Sequence, residues 1–67
     1  MSVVKIIELL AESTESWEAA TQVAVTEANK SVRHIKSVYI QDFKAFVEDG
    51  KIVRYRVNAR VSFVVHE

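Results

Sequence analysis

The chain has 67 residues, of which 49% are hydrophobic and 27% charged, and its nine basic and nine acidic residues cancel. A chain of this length accommodates one domain, and a hydrophobic content near half excludes a disordered chain. Without cysteine it has neither a disulfide nor a thiolate metal site, and without net charge it lacks the basic excess of a nucleic-acid binder. No apolar run approaches the about 20 residues of a membrane span.

The N-terminal segment MSVVKIIELLAES has a lysine inside a short apolar run and acids soon after it. A signal peptide needs a basic start and a small-residue cleavage site, so this segment is predicted to be the first strand. The lack of cysteine is compatible with a reducing compartment. We therefore expect a single domain over residues 1–67, in the cytoplasm, with no nucleic-acid or membrane partner.

The first two predicted elements are a strand and a helix. Residues 3–10, VVKIIELL, are rich in β-branched residues and short enough for a strand. Ser13 or Thr14 is expected to cap a following helix of about 15 residues, with Trp17 packed near its start. Alanine recurs there at every fourth position, which predicts a narrow apolar stripe: Ala20, Ala24 and Ala28.

The second half of the chain reads as a long β-hairpin. Residues 35–48 carry β-branched and aromatic side chains without proline or glycine, which predicts one strand, bulged near Asp42. Asp49-Gly50 supplies the positive φ angles of a tight turn. The return strand, KIVRYRVNARVSF, alternates between apolar and polar residues, so one of its faces is buried. Its polar face includes three arginines: Arg54, Arg56 and Arg60.

The order β-α-β-β makes every neighbouring strand pair antiparallel if the third strand is central. We therefore predict an α+β fold, with a three-stranded antiparallel sheet of order 1-3-2, one helix on one face and a long hairpin. Thirteen residues of strand extend about 43 Å, whereas a compact globule of this chain length has a radius of gyration of about 11 Å. The hairpin is expected to project beyond its own core and to be covered by neighbouring subunits.

Three segments together carry a family resemblance: VVKIIELLAESTESWEAA, EANKSVRHIKSV and GKIVRYRVNARVSF. In their order, spacing and length they resemble the dodecin family along nearly the whole chain. The resemblance implies a hollow homododecamer with three-fold and two-fold axes. It also implies a protein that stores, buffers or sequesters a small ligand or ion and is not an enzyme. In its flavin-binding members, paired flavins lie near the two-fold axes.

The resemblance also marks three positions of the flavin-dodecin pocket. The tryptophan that stacks on the flavin ring aligns with Ser37, and the glutamine that binds the ring edge aligns with Arg56, whereas the acidic position is kept as Asp42. Because stacking on an aromatic side chain contributes about 1 kcal/mol or more, flavin is disfavoured. A second branch, the calcium dodecins, lacks that tryptophan and shares the SW at the helix start and the GKI…YR run. Calcium is therefore the favoured ion, with no ligands assigned to it.

The charged residues allow two interpretations. The arginine face could bind a phosphate or a nucleotide tail, because guanidinium groups bind such anions through paired hydrogen bonds. Alternatively, the arginines pair with acids of their own subunit or of a neighbouring subunit. The acids considered as partners are Glu8, Asp42 and Glu48. Two groups of carboxylates are candidate calcium ligands. They are Glu12, Glu15 and Glu18, and Asp42, Glu48 and Asp49. The alternative interpretation is that the first group belongs to an ordinary capped helix start and the second to a polar turn.

The aromatic residues also leave alternatives. Tyr39 and Tyr55 could flank a planar ligand or fill alternate core and interface positions. The second strand is read with Tyr39 and Phe43 on the face opposite to Val38. No phosphate loop, paired-carboxylate motif or nucleophile signature supports catalysis. The remaining functional alternatives are a flavin store with an altered pocket and a structural shell without a ligand.

Overall fold

The computed structural model describes residues 2–66 and has the predicted order of elements. These are β1 (Val3–Ser13), α1 (Trp17–Ala28), β2 (Ile35–Glu48) and β3 (Lys51–His66). The predicted fold class is confirmed, because the three strands form one antiparallel sheet in the order β1-β3-β2. Met1 and Glu67, the ends of the predicted domain, lie outside the described residues. No helix in the described part is long and apolar enough to cross a membrane.

The core lies between α1 and the middle of β3. The alanine stripe predicted on the helix is buried, and so are the alternate β3 residues that face it. The buried residues are Ala20, Ala24 and Ala28 on α1, Val57, Ala59 and Val61 on β3, and Ala11 on β1. Small side chains let the helix lie close to the sheet, and no fully buried side chain in the described part is larger than valine.

The helix begins later than predicted. Its N-cap is Ser16, whose Oγ accepts a hydrogen bond from the Ala19 amide at 2.9 Å, so the predicted cap at Ser13 or Thr14 was wrong. Ser13 instead ends β1, where it pairs with Tyr55, because β3 is long enough to extend the ladder to that point. As a result β1 runs past the predicted end at residue 10, and α1 has 12 residues.

Bulges in β2 change which face its side chains occupy. The predicted irregularity near Asp42 is confirmed, because the register shifts between Ile40 and Asp42. Gln41 is the extra residue at that point, so the alternation is reversed beyond it. Phe43 consequently lies on the same face as Val38, and the prediction that it faces the other way was wrong.

Beyond Tyr55, β2 and β3 continue as a two-stranded ribbon. The β1 pairing stops at Tyr55, whereas the β2–β3 pairing continues to Glu48 and Lys51. The turn is the predicted one, with φ angles of 52° at Asp49 and 75° at Gly50. The longest dimension is 51 Å and the radius of gyration is 13.7 Å, above the about 11 Å of a compact globule. The predicted projection of the hairpin is confirmed.

Candidate functional site

The side of the sheet opposite to α1 carries the strand arginines, and we call it the helix-free face. By register it consists of alternate residues of the three strands. They are Val4, Ile6, Glu8, Leu10 and Glu12 of β1, Ser37, Tyr39, Asp42, Lys44 and Phe46 of β2, and Arg54, Arg56, Asn58, Arg60 and Ser62 of β3. Because α1 packs on the other side, this face is the surface on which the predicted site residues must act.

Ser37, Asp42 and Arg56, the three predicted pocket positions, all lie on this face but not together. Ser37 lies opposite Ser62 and Asp42 lies opposite Asn58. Ser62 and Arg56 are six residues apart on β3, a distance of about 20 Å along an extended strand. One ligand ring therefore cannot contact Ser37 and Arg56 of the same subunit.

Two of these three positions are engaged within the subunit. The hydroxyl oxygens of Ser37 and Ser62 are 2.6 Å apart and share a hydrogen bond. Arg56 donates from Nε to Glu12 Oε2 at 2.7 Å. Asp42 is exposed and forms no ion pair with another described residue. Of the three, only Asp42 is without a side-chain partner among the described residues.

A cluster of charged and aromatic side chains lies where β1 ends and the ribbon begins. We call it the Phe46 cluster, and it consists of Glu12, Lys44, Phe46, Arg54 and Arg56. The guanidinium carbons of Arg54 and Arg56 lie 4.1 Å and 4.7 Å from the centroid of the Phe46 ring. Lys44 Nζ lies 5.7 Å from the same centroid. Three cations therefore converge on one aromatic ring, an arrangement favoured by the ring quadrupole.

Glu12 holds the two guanidinium groups of the Phe46 cluster in place. Its Oε2 accepts the Arg56 hydrogen bond, and its Oε1 lies 3.1 Å from Arg54 Nε. The Arg54 N–H does not point at that oxygen, so the contact is an ion pair without a hydrogen bond. The hydrogen bond from Arg56 is the main cause that lowers the pKa of Glu12; partial desolvation opposes it, and the charges of both arginines add to the lowering.

The contacts of Glu12 with the two arginines affect the predicted calcium ligands. Glu12 belonged to one of the two predicted carboxylate groups, but its oxygens face Arg54 and Arg56 instead of other carboxylates. Within residues 2–66, no three histidine, aspartate or glutamate side chains come close enough together to hold a metal ion. A calcium site of about six to eight oxygens is therefore not assembled within the described part of one subunit.

Arg60 is separate from the Phe46 cluster. Its Nε lies 4.0 Å from Glu8 Oε2, which confirms Glu8 as one of the predicted acid partners. Asp42 and Glu48, the other two acids considered, form no ion pair with an arginine in the described part of the chain. Glu12 takes their place, because the longer β1 brings it opposite Arg56.

A second aromatic group lies on the helix-covered side of the sheet. The Trp17 ring centroid is 5.3 Å from that of Phe43 and 5.0 Å from that of Tyr55, and the indole Nε1 donates to the Lys44 carbonyl oxygen at 3.2 Å. The predicted packing of Trp17 at the helix start is confirmed. Tyr39 lies on the helix-free face and Tyr55 on the opposite one, so the two rings cannot flank one ligand within a subunit.

Large apolar side chains remain exposed on both sides of the sheet. On the helix-free face, Ile6, Leu10 and Tyr39 are 61%, 66% and 65% exposed. Near the tip of the ribbon, Val47 and Ile52 are exposed as well. The described part of one subunit forms no cleft or cavity that could shelter a ligand. Exposed apolar groups of this kind mark surfaces for contact with other molecules.

Comparison with known proteins gives the same result by family, by sequence and by structure. The family model described as Dodecin matches residues 3–66. The chain is 35% identical over 63 residues to calcium dodecin of Mycobacterium tuberculosis, covering 94% of this chain and 89% of that protein. It is 31% identical over 65 residues to dodecin of Thermus thermophilus, covering 97% and 94%. The predicted family is confirmed.

Solved structures of the same two proteins resemble this chain. A variant of Thermus thermophilus dodecin superposes with a TM-score of 0.91 at 30% identity, covering all of both chains. Calcium dodecin of Mycobacterium tuberculosis, a calcium-chelating antigen with a calcium-binding site, superposes with a TM-score of 0.79 at 38% identity, covering 92% of this chain and 89% of that one. The backbone is thus nearer to the first and the sequence nearer to the second.

Proposed function

This chain belongs to the dodecin family, and on that premise we propose that its single domain assembles into a hollow homododecamer that stores or buffers a small ligand or ion without turnover. The thin core of the subunit carries this proposal. Within residues 2–65, its fully buried side chains are no larger than valine, while Ile6, Leu10 and Tyr39 are mostly exposed. Such a core stabilises a chain of this size only weakly, so contacts with other copies are needed.

The shape of the subunit supports the same proposal. Its accessible surface is 5030 Å², compared with about 4,300 Å² expected for a compact monomer of this mass. The excess comes from the ribbon and from the uncovered sheet face, both of which carry exposed apolar side chains. In a closed symmetric assembly these surfaces are buried against equivalent copies.

Calcium is the ion we favour for the shell. Support comes from the higher sequence identity to the Mycobacterium tuberculosis calcium dodecin and from the Ser37 and Arg56 replacements in the flavin pocket. Because one described subunit lacks a metal cluster, the ligands would be exposed carboxylates from several subunits. Asp42 is one candidate, since it is exposed and forms no ion pair in the described part. A carboxylate near a symmetry axis is presented once by each copy around that axis.

Flavin remains the alternative ligand, and the contacts within the subunit weigh against it. Ser37 offers no ring for stacking, and its hydroxyl is bonded to Ser62. Arg56 is held by Glu12 and by the Phe46 ring, so its side chain fills the space that a shorter polar residue would leave. The third possibility is a shell that binds no ligand, and titrations with calcium and flavin distinguish it from the other two.

The assembly and its ligand are testable in one preparation. Native mass spectrometry of the purified protein should give a mass of about twelve times the 7.6 kDa subunit, together with any retained ligand. A 7.6 kDa monomer would contradict the shell. Calorimetry with calcium on chelator-treated protein should show saturable binding, and absence of heat would exclude calcium.

Flavin is tested separately by fluorescence titration with riboflavin. We expect no strong quenching by the wild-type protein and recovery of quenching in a Ser37→Trp/Arg56→Gln variant. The single variant Arg60→Gln serves as a control, because it changes an arginine on the same face outside the predicted pocket. Submicromolar quenching by the wild-type protein would overturn the preference for calcium.

A further inference from the structure

The two edges of the sheet differ in how regular they are. On the β2 edge the register shifts at three points between Ile35 and Val47. Such bulges interrupt the spacing of main-chain groups and hinder the addition of another strand. On the β1 edge the register runs from Val4 to Ser13 without a shift, a length of about 33 Å. The β1 edge is therefore the one that remains regular enough to pair.

One hydrogen bond fixes which main-chain groups of β1 point away from the sheet. The Val64 amide donates to the His34 carbonyl oxygen at 3.1 Å, so the main chain of Val64 is directed towards the β2 side. Val4 pairs with Val64, and in an antiparallel ladder its own N–H and C=O groups then point away from β3. Because the register is regular beyond Val4, every second residue does the same. These outward residues are Val4, Ile6, Glu8, Leu10 and Glu12.

The outward main-chain groups of β1 have no partner in the described part of the subunit. Within residues 2–66, β1 pairs with β3 alone, and no hydrogen bond joins these groups to a loop, to the helix or to a side chain. Three of the same residues, Val4, Ile6 and Leu10, also carry apolar side chains that are more than half exposed. A long regular edge beside exposed apolar side chains is a site at which another strand can pair.

Assembly makes an unpaired edge costly. Main-chain N–H and C=O groups that leave water without a partner destabilise a structure, and nearly all buried groups of this kind are paired. An added strand satisfies the outward groups together, because its own main-chain groups repeat with the same spacing. Every described strand of the subunit already belongs to this sheet, so the added strand has to come from another copy.

We propose that the outer edge of β1 pairs through main-chain hydrogen bonds with an edge strand of a second copy of this chain. This inference rests on the proposed function, because assembly brings the second copy to the edge. In strand addition the main-chain hydrogen bonds supply affinity, and the side chains beside them supply specificity. Val4, Ile6 and Leu10 are the side chains that fix the register of the two copies here.

Hydrogen–deuterium exchange of the wild-type protein, resolved by residue, tests the pairing. The amides of Ile7 and Leu9 point at β3 and serve as matched controls, whereas those of Ile6, Glu8 and Leu10 point outwards. In a paired edge the two sets should exchange within about tenfold of each other. More than about tenfold faster exchange of the outward set would overturn the pairing.

Native mass spectrometry of the same samples separates this inference from the proposed function. A mass of twelve subunits with fast outward amides would overturn the pairing and leave the shell intact. A 7.6 kDa monomer would contradict both, because no second copy would then be present at the edge.

Proline at position 8 tests the same contact through assembly. Glu8→Pro deletes an outward N–H, and proline is tolerated on an edge strand where the N–H points away from the sheet. Glu8→Ala is the matched control, since it keeps the N–H and loses the same side chain with its 4.0 Å contact to Arg60. Glu8→Pro should need about fivefold more protein than Glu8→Ala to assemble, as measured by light scattering.

Circular dichroism first establishes that both variants are folded. Equal assembly of two folded variants would overturn the proposal. If Glu8→Pro does not fold, the exchange pattern of the wild-type protein decides.

Discussion

Val57 is one of the two largest fully buried side chains, and its truncation gives the sharpest stability prediction. It is 1% exposed and belongs to the cluster formed with Ala11, Ala20, Ala24 and Ala59. Val57→Ala removes two buried methyl groups. Since removal of one such group costs about 0.5–1.5 kcal/mol, we expect a loss of about 1–3 kcal/mol in the free energy of unfolding.

That loss is large for a subunit of this size. At roughly 0.05–0.15 kcal/mol per residue, the free energy of unfolding is about 3–10 kcal/mol. Urea unfolding followed by circular dichroism at fixed protein concentration should show a midpoint lower by about 0.7–2 M, for a slope of about 1.5 kcal/mol per M. Fixed concentration is necessary because association contributes to the apparent stability.

The matched control is Val23→Ala on α1, where valine is 41% exposed. We expect a change within about 0.5 kcal/mol, because little buried surface is lost and alanine favours the helix. If Val57→Ala and Val23→Ala had equal midpoints, burial of Val57 would contribute little to stability, and the prediction from its burial would be refuted.

Three smaller perturbations test individual contacts by the same urea assay. Ser16→Ala should cost about 1 kcal/mol because it removes the N-cap of α1. The control is Ser31→Ala at an exposed loop position, which should leave the midpoint unchanged. An unchanged midpoint for Ser16→Ala would argue against the cap. Gly50→Ala should cost about 1–2 kcal/mol because the φ angle at this position is +75°, which a residue with a side chain rarely adopts. Steric contact is not the cause, since a methyl group there meets open space. Asparagine tolerates this φ better than alanine, so a smaller loss for Gly50→Ala than for Gly50→Asn would contradict this reason. Arg56 lowers the pKa of Glu12 in the folded state. The ionised Glu12 therefore contributes its full stability when the pH is above the pKa that Glu12 has in the unfolded chain. This stability is lost as the pH falls through the lower pKa of the folded state. The midpoint difference between wild type and Glu12→Gln should therefore shrink as the pH falls below the ordinary pKa of a glutamate, and a constant difference would refute the ion pair.

Sequence patterns were sufficient for the element order and the sheet topology. The period of four in the alanines and the strict alternation of β3 each have one physical interpretation, and the core follows from both. Strand ends were less certain. The predicted end of β1 at residue 10 left Glu12 outside the sheet, although the register places it opposite Arg56. An error of three residues therefore concealed the main partner of two arginines.

The faces of β2 could not be predicted because a bulge has no strong sequence signal of its own. Asp42 indicated an irregularity, but the extra residue had to be identified as Gln41 before the face of later residues was determined. Beyond it, Phe46 joins the arginines and Phe43 joins Trp17. The Phe46 cluster thus depends on a one-residue insertion in the ladder, and only the folded structure shows it.

The connectivity of the sheet also bears on how the subunit folds. The first β2–β3 pair, Glu48 and Lys51, is three positions apart in the chain, whereas Ser13 and Tyr55 of the β1–β3 ladder are 42 apart. Closing a longer loop costs more chain entropy, so local pairs form earlier. We therefore expect the hairpin to form first, and β1 to be the last strand to dock and the first to detach. The acid of the Phe46 cluster would then arrive after its arginines, and amide hydrogens of β1 would exchange with solvent before those of β3.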